Sequence, residues 1–180
     1  LLRIFRLGHV IEDELVDLLN ATPGYEVTDQ QREVGEGAFI GHIDGILRWS
    51  LSSRRIAKKT SLLEIKSAKN DRWKMLTKMG YEAWNPGYAA QIQAYLHFLP
   101  ECEDAVIGVY DKDTSQVHWE RIRRDEEEGA RLVAESALVV SSETPPPRPA
   151  AAKSHACAFC KWCDRAQHCW SPATDARFDP

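Results

Sequence analysis

A chain of 180 residues with 43% hydrophobic and 28% charged side chains has apolar material enough for one domain with a real core. Its net charge of −4 argues against a generically basic nucleic-acid coat protein, while leaving room for a local basic patch. No apolar run approaches the roughly 18 residues that a membrane-spanning helix needs, and an opening stretch carrying His9, Glu12 and Asp13 is not a secretion signal.

The chain begins at Leu1 rather than Met, which leaves room for residues upstream. Ile4, Leu7, Ile11, Leu15 and Leu18 recur at three- and four-residue steps and predict an amphipathic helix over 4–20, ended by the segment Asn20 to Gly24 with its Pro23. Two extended runs follow, 25–35 and 38–51, the second rich in strand formers. Gly35 and Gly37 lie between them and predict a hairpin turn. Residues 52–59, SSRRIAKK, read as a polar, basic connection, and Leu62 to Ile65 as a short apolar strand. A basic helix over 70–80 stops at Gly80, and a second helix over 86–98 has Pro86 in its first turn and Pro100 beyond its end.

Strands at 104–110 and 116–122, joined by a polar turn, come next. A helix over 125–140 opens on acids that suit its dipole. The order α-β-β-β-α-α-β-β-α predicts an α/β (α+β) fold with a central mixed sheet flanked by helices. Residues 1–140 form the expected core and 141–154 a Pro-rich extended linker. Residues 155–180 form a cysteine-rich tail expected to pack on that core.

Five cysteines are present, and Cys157, Cys160, Cys163 and Cys169 fall within thirteen residues. A disulfide framework spreads its cysteines to staple distant segments. Crowding at two-residue spacing points instead to metal or cluster ligation in a reducing compartment, hence the cytoplasm of a bacterial, archaeal or phage-infected cell. C-x2-C-x2-C-x5-C suits a cubane iron–sulfur cluster. Zinc is the alternative, held by four thiolates or by three with His155 or His168. Cys102, alone, reads as a small buried hydrophobe.

Asp44 lies in GHIDG within the second extended run. Glu64 and Lys66 lie in LLEIKS, two apart, and so share one face of a strand that Asp44 can also face. Two carboxylates with the Ile65 carbonyl make a hard oxygen site for Mg²⁺ or Mn²⁺, beside which Lys66 can orient a water or meet developing charge. Charges set among Ile43, Ile46, Leu62, Leu63 and Ile65 are costly unless paired or ligated. Gln91 and Tyr95, four apart, share one helix face, with Tyr88 a turn earlier on that side. Lys69, Arg72, Lys74 and Lys78, with Trp73 and Trp84 near, read either as a track for a nucleic-acid backbone with aromatics for stacking, or as a solvated helix face.

GHIDG followed by LLEIKS resembles the core signature of the PD-(D/E)XK nucleases, with Asp44 as the first acid and Glu64-Ile65-Lys66 as the E-x-K. YAAQIQAYLHF is similar to the Q-x-x-x-Y helix of the RecB-like exonuclease branch, with Gln91 and Tyr95 matching, and LGHVIEDEL to the first helix of that branch. There a glycine precedes by four residues a His or Glu that reaches the metal. From Gly8 that position is Glu12, with His9 as a near alternative. The spacing Cys160-x2-Cys163-x5-Cys169 matches cluster-bearing members of the branch, where three such cysteines help hold a 4Fe–4S cluster and the fourth ligand lies far upstream. Cys157 is the local substitute, since the first cysteine of this sequence is Cys102.

The resemblance implies a restriction-endonuclease-like core and a Mg²⁺- or Mn²⁺-dependent deoxyribonuclease, an exonuclease acting on linear or single-stranded DNA ends. Its partners would be proteins of recombination, repair, phage replication or CRISPR adaptation. In it Asp44, Glu64, the Ile65 carbonyl and Glu12 or His9 hold the metal, Lys66 assists the water, and Gln91 and Tyr95 support the site. The alternatives are a nuclease-like module that holds DNA without cutting, and a zinc- or cluster-based redox or regulatory protein.

Overall fold

The computed structural model describes residues 2–50, 59–144, 146–148, 152–157, 160–161 and 163–171. The chain divides into two compact units, 1–137 and 138–180, with the division inside the last long helix.

In the first unit, helix α1 (Leu2–Ala21) leads into strands β1 (Tyr25–Thr28), β2 (Glu33–Glu36), β3 (Phe39–His42) and β4 (Gly45–Trp49). Strand β5 (Lys59–Ala68) follows, then helices α2 (Asn70–Met79), α3 (Tyr81–Trp84) and α4 (Pro86–His97). Strands β6 (Asp104–Asp111) and β7 (Val117–Arg123) and helix α5 (Glu126–Ser141) complete it. The main sheet runs β1-β4-β5-β6-β7, antiparallel at every pairing except the parallel β5–β6 pair. Parallel neighbours need a long crossover, and α2, α3 and α4 supply it. A mixed sheet flanked by helices is therefore the architecture, as expected from the order of elements.

The two extended runs are each broken in two. The expected hairpin forms between β2 and β3, with Gly37 at φ +59 in its turn. However, β1 leaves that hairpin to pair with β4 in the main sheet. Asp44 accordingly lies at the bend between β3 and β4, not inside a strand. The expected basic connection falls almost wholly at 51–58, outside the described residues; Lys59 opens β5, its ammonium 5.8 Å from the centre of the Trp49 ring.

Strand β5 is central and buried on both faces, as a strand covered by helices on each side must be. Leu62 joins Ile107, Val109, Leu76, Tyr81, Ile92, Tyr95 and Leu96 in one core cluster. Leu63 and Ile65 pack with Ile11, Leu15 and Val16 of α1 in the other. The buried stripe of α1 is thus Ile11, Leu15 and Val16, whereas Leu7 and Leu18 are exposed. Helix α4 starts on Asn85, whose side chain accepts from the Tyr88 N–H, with Pro86 in the first turn.

The second unit carries successive turns. Backbone N–H groups of Cys160 and Lys161 donate to the Cys157 carbonyl, Cys163 to Cys160, and Ala166 to Cys163, before the one-turn helix α6 (Ala166–Cys169). The Arg148 guanidinium lies 4.2 Å from the centre of the Trp170 ring and donates to the Cys169 carbonyl. No helix among the described residues is long and apolar enough to cross a membrane.

Candidate active site at the end of strands β4 and β5

Strands β4 and β5 pair with Gly45 opposite Leu63, so continuing the register by one residue sets Asp44 across from Glu64. Directly opposed residues share a face of an antiparallel pair. The Asp44 carboxylate accepts from the backbone N–H of Ile65 at 2.6 Å, which ties the bend to β5. Lys66 reaches back along its own strand to donate to Glu64 Oε1. Only 2% of Glu64 is exposed, and its Oε2 has no hydrogen-bond partner among the described residues.

Two glycines of GHIDG make the approach possible. A Cβ at Gly41 would overlap the Tyr95 hydroxyl and stand 2.7 Å from a ring carbon, so the ring lies directly on the backbone of β3. A Cβ at Gly45 would meet Val27 Cγ1 at 2.8 Å. Both are positions where the missing side chain, rather than backbone freedom, is what the fold uses.

Helix α1 brings Glu12 to the same place. Its carboxylate accepts from Gln31 at 2.6 Å and lies 3.7 Å from the exposed His9 imidazole. Gly8, His9, Ile11, Glu12, Asp44, Ile65, Lys66, Ser67 and Tyr88 line one cavity of about 320 Å³. From α4, Tyr88 places its ring under the Lys66 ammonium, 5.3 Å from the ring centre. Gln91 donates to the Tyr95 hydroxyl at 2.9 Å, which leaves the phenol's own proton for another acceptor.

The electrostatics follow from burial. Burial pushes the Glu64 carboxyl up to about 7, against the Lys66 ammonium and with help from Asp44 and Glu12. Burial raises Asp44 too, opposed by Lys66 and by the Ile65 N–H. Glu12 is raised by burial and then by Asp44. Burial opposes the charge of Lys66, but Glu64 and Asp44 outweigh it and hold the ammonium above its ordinary value. Asp44 and Glu64 face the Lys66 ammonium and Glu12 senses Asp44, so hard oxygens dominate the site, and the unpartnered Glu64 Oε2 is the kind of atom that a divalent cation satisfies. As positioned, no three His, Cys, Asp or Glu side chains among the described residues are gathered into a cluster that could hold a metal ion.

The structure thus brings Asp44, Lys66, Glu12 and His9 to one cavity and sets Glu64 against Lys66, while Gln91 and Tyr95 bond to each other on α4 and are not part of that lining. Sequence reasoning missed Gln31, which donates to Glu12. Gln31 stands at φ +55 in the loop after β1, which no motif marks. The tryptophans read as stacking platforms are not available for it: Trp73 donates to the Val109 carbonyl at 2.9 Å, and Trp84 is buried beneath the Arg72 guanidinium.

In the second unit, Trp170 Nε1 donates to Cys160 Sγ at 3.3 Å. That bond favours the Cys160 thiolate, but burial, Cys157 and Cys169 together raise the thiol. Cys160, Cys163 and His155 line a cavity of about 560 Å³. Cys102 is buried in the first unit, where burial pushes its thiol up to about 12, the behaviour of a packed hydrophobe.

No family model matches the sequence, and no curated protein matches it. Among solved structures, the chain is similar to an alkaline exonuclease (LHK-Exo) from Laribacter hongkongensis. The likeness has a TM-score of 0.52 at 20% identity and covers 74% of this chain and 69% of that one. It is also similar to the crystal structure of SSO0001, with a TM-score of 0.49 at 19% identity over 93% of this chain and 70% of that one. At 20% identity the first likeness is one of fold: the helix-flanked mixed sheet is shared with an exonuclease.

Proposed function

We propose that this chain is a Mg²⁺- or Mn²⁺-dependent deoxyribonuclease, an exonuclease of the PD-(D/E)XK class that hydrolyses DNA from its ends. The observation that carries the reading is the meeting of Asp44, Glu64 and Lys66 where β4 and β5 end, on a fold shared with an alkaline exonuclease. Asp44, Glu64, the Ile65 carbonyl and Glu12 would hold the metal, with His9 beside Glu12 as the alternative ligand. The metal supplies Lewis acidity toward the phosphate and toward an attacking water.

In hydrolysis a water oxygen bonds to phosphorus and the ester P–O bond breaks, the water's proton passing to solvent and the departing oxygen taking a proton from solvent. Lys66 Nζ, held protonated by Glu64 and Asp44 and lying over the Tyr88 ring, would orient the water and meet charge on a phosphate oxygen. The Tyr95 hydroxyl, accepting from Gln91, keeps its proton for donation toward the same region. Lys69, Arg72, Lys74 and Lys78 follow directly on the site and suit the phosphates of a strand leading into it.

Cys157, Cys160, Cys163 and Cys169 would hold one structural centre, a 4Fe–4S cluster or zinc. The Trp170 N–H on Cys160 Sγ is the sort of hydrogen bond that tunes such a ligand. A cytoplasmic setting suits thiolates of this kind. DNA ends as they arise in recombination, repair, phage replication or CRISPR adaptation are the substrate class.

The competing reading is a nuclease-like module that binds DNA without cutting. The closure of Lys66 onto Glu64, with no three metal-binding side chains gathered among the described residues, favours it. One assay separates the two: end-labelled linear DNA with Mn²⁺, with EDTA, and with the Asp44→Asn and Glu64→Gln variants. The nuclease reading expects cleavage that EDTA and either substitution abolish. Binding without cleavage selects the module, and wild-type rates in either variant would move the chemistry elsewhere.

A further inference from the structure

A row of alternating cations and rings leads away from the candidate site along the crossover helices. The Lys66 ammonium lies 5.3 Å from the centre of the Tyr88 ring, and the Tyr88 and Trp84 ring centres are 6.4 Å apart. Beyond them, the Arg72 guanidinium carbon lies 5.5 Å from the Trp84 ring centre. Trp84 is buried against Tyr81, which fixes the middle of the row. Its neighbours on either side are open: Tyr88 is 38% exposed and Arg72 is exposed as well.

Tyr88 also lines the cavity of about 320 Å³ that Asp44, Glu12 and Lys66 line. That volume is at the lower end of the roughly 300–1,000 Å³ of ligand clefts, so its occupant is small. Of the residues lining it, only His9 and Tyr88 carry a ring. The start of α4 sets Tyr88 there, since Asn85 accepts from its backbone N–H and Pro86 fixes the first turn. A partly exposed aromatic residue on a capped helix, at the wall of a cavity that also holds a cation, is a surface on which another planar group can lie. The exposed Arg72 at the far end of the row suits a phosphate.

We infer that Tyr88 is a substrate-positioning residue, its ring being the platform on which one unpaired base at the end of a DNA strand stacks, while Arg72 meets a phosphate of the same strand. The inference rests on the reading of this cavity as the place where a DNA end is held, and it narrows that end to an unpaired one. A terminal base in a duplex is hydrogen-bonded to its partner and moves only with it, whereas an unpaired base can turn its π-face onto an aromatic side chain. Every base has such a face, so this contact selects ends rather than sequences.

The test measures binding by the whole chain in EDTA, so that nothing is cut, using fluorescence anisotropy. The probes are a labelled single-stranded oligonucleotide, the same strand lacking its 5′-terminal or its 3′-terminal base, and a blunt duplex. Wild type should bind the intact strand about tenfold more tightly than one of the two strands with a missing base, the scale of a single base–aromatic stack. Tyr88→Phe should keep that preference and Tyr88→Leu should erase it, because only the first retains a ring. Tyr88→Leu should bind the blunt duplex as wild type does. Arg72→Gln should weaken intact and base-free strands alike and lower the salt slope by about 0.7, the value for one phosphate on a single strand. Equal binding of all three strands by wild type, a comparison that needs no variant to fold, would overturn the inference. So would a preference that survives in Tyr88→Leu, or a loss on the duplex as large as on the strand. Cleavage of end-labelled DNA with Mn²⁺ in the face of any of these results would leave the nuclease reading standing, whereas wild type that binds none of the probes would overturn both.

Discussion

Replacing Glu64 by Gln should make the metal-free protein more stable at pH 8 than the wild type, relative to their difference at pH 4.5. The wild-type carboxyl is raised by burial from 4.5 to about 7, so the folded state binds its proton more tightly than the unfolded state does. Stability tied to this group is therefore complete below pH 4.5, is lost as pH climbs from 4.5 to about 7, and is level above that. At about 1.36 kcal/mol per tenfold change in proton affinity, the loss is about 3 kcal/mol. Gln keeps the shape and cannot titrate, and in the wild type Glu64 and Asp44 hold the Lys66 ammonium charged through this range against its burial. Carboxylates outside the site titrate alike in the two chains and drop out of the difference, and the repulsion of Glu64 by Asp44 and Glu12 is part of the loss already counted. Urea unfolding at pH 4.5 and pH 8, with EDTA throughout, measures the four free energies. The Gln variant should gain about 3 kcal/mol on the wild type between the two pH values. A difference that stays constant within about 1 kcal/mol would refute the claim that Glu64 is a buried carboxylate charged only at a cost.

Lys66→Met removes the cation from a buried pair and should cost about 3–5 kcal/mol at pH 8, and less at pH 5 where Glu64 can take a proton; equal losses at the two pH values in thermal melts would contradict this. Gly41→Ala sets a methyl against Tyr95 and should cost about 1–3 kcal/mol while slowing cleavage, both read from one preparation; an unshifted unfolding midpoint would show that the ring yields freely. Cys160→Ser should lower the iron or zinc that co-purifies with the anaerobically prepared protein, measured by metal analysis with an absorption spectrum; unchanged metal content would exclude Cys160 as a ligand.

Most of the fold is legible where one local signal dominates. Pro86 with Asn85 before it starts α4, and Gly80 ends α2, because those residues act on the backbone directly. Gly35 and Gly37 mark the turn between β2 and β3 for the same reason. The break at Ile43–Asp44 is hidden, since strand formers run on from Phe39 to Trp49 while pairing alone decides that one half joins β2 and the other joins β1 and β5. The buried side of α1 is misread by periodicity because Val16 is packed and Leu7 and Leu18 are not, a choice made by the sheet beneath the helix. Of the candidate site, the two-residue step from Glu64 to Lys66 is visible in strand geometry, and Asp44 becomes visible once the strands are known to be neighbours. Gln31 carries no local mark; its place exists only through Glu12 of α1, nineteen residues away in sequence.

The energetics of β5 bear on function independently of any motif. Leu62, Leu63 and Ile65 are buried at 0%, 0% and 6% exposure, so a leucine at 64 would suit a strand whose only task was to fold. Glu64 stands there instead with one oxygen unpartnered among the described residues, and the Tyr81 hydroxyl, in the core cluster that holds Leu62, is unpartnered among them too. Each is a local inconsistency of the kind that natural chains keep at working sites and offset elsewhere. The offset is visible at the far end of the same sheet, where Ser61, Asp104, Arg121 and Trp49 form a fully bonded network across β4, β5, β6 and β7. Among the described residues that end of the sheet bonds its buried polar groups, while Glu64 Oε2 stays unpartnered near the end where Lys66, Asp44 and Glu12 line a cavity, which is the setting expected of a carboxylate kept for a ligand rather than for the fold.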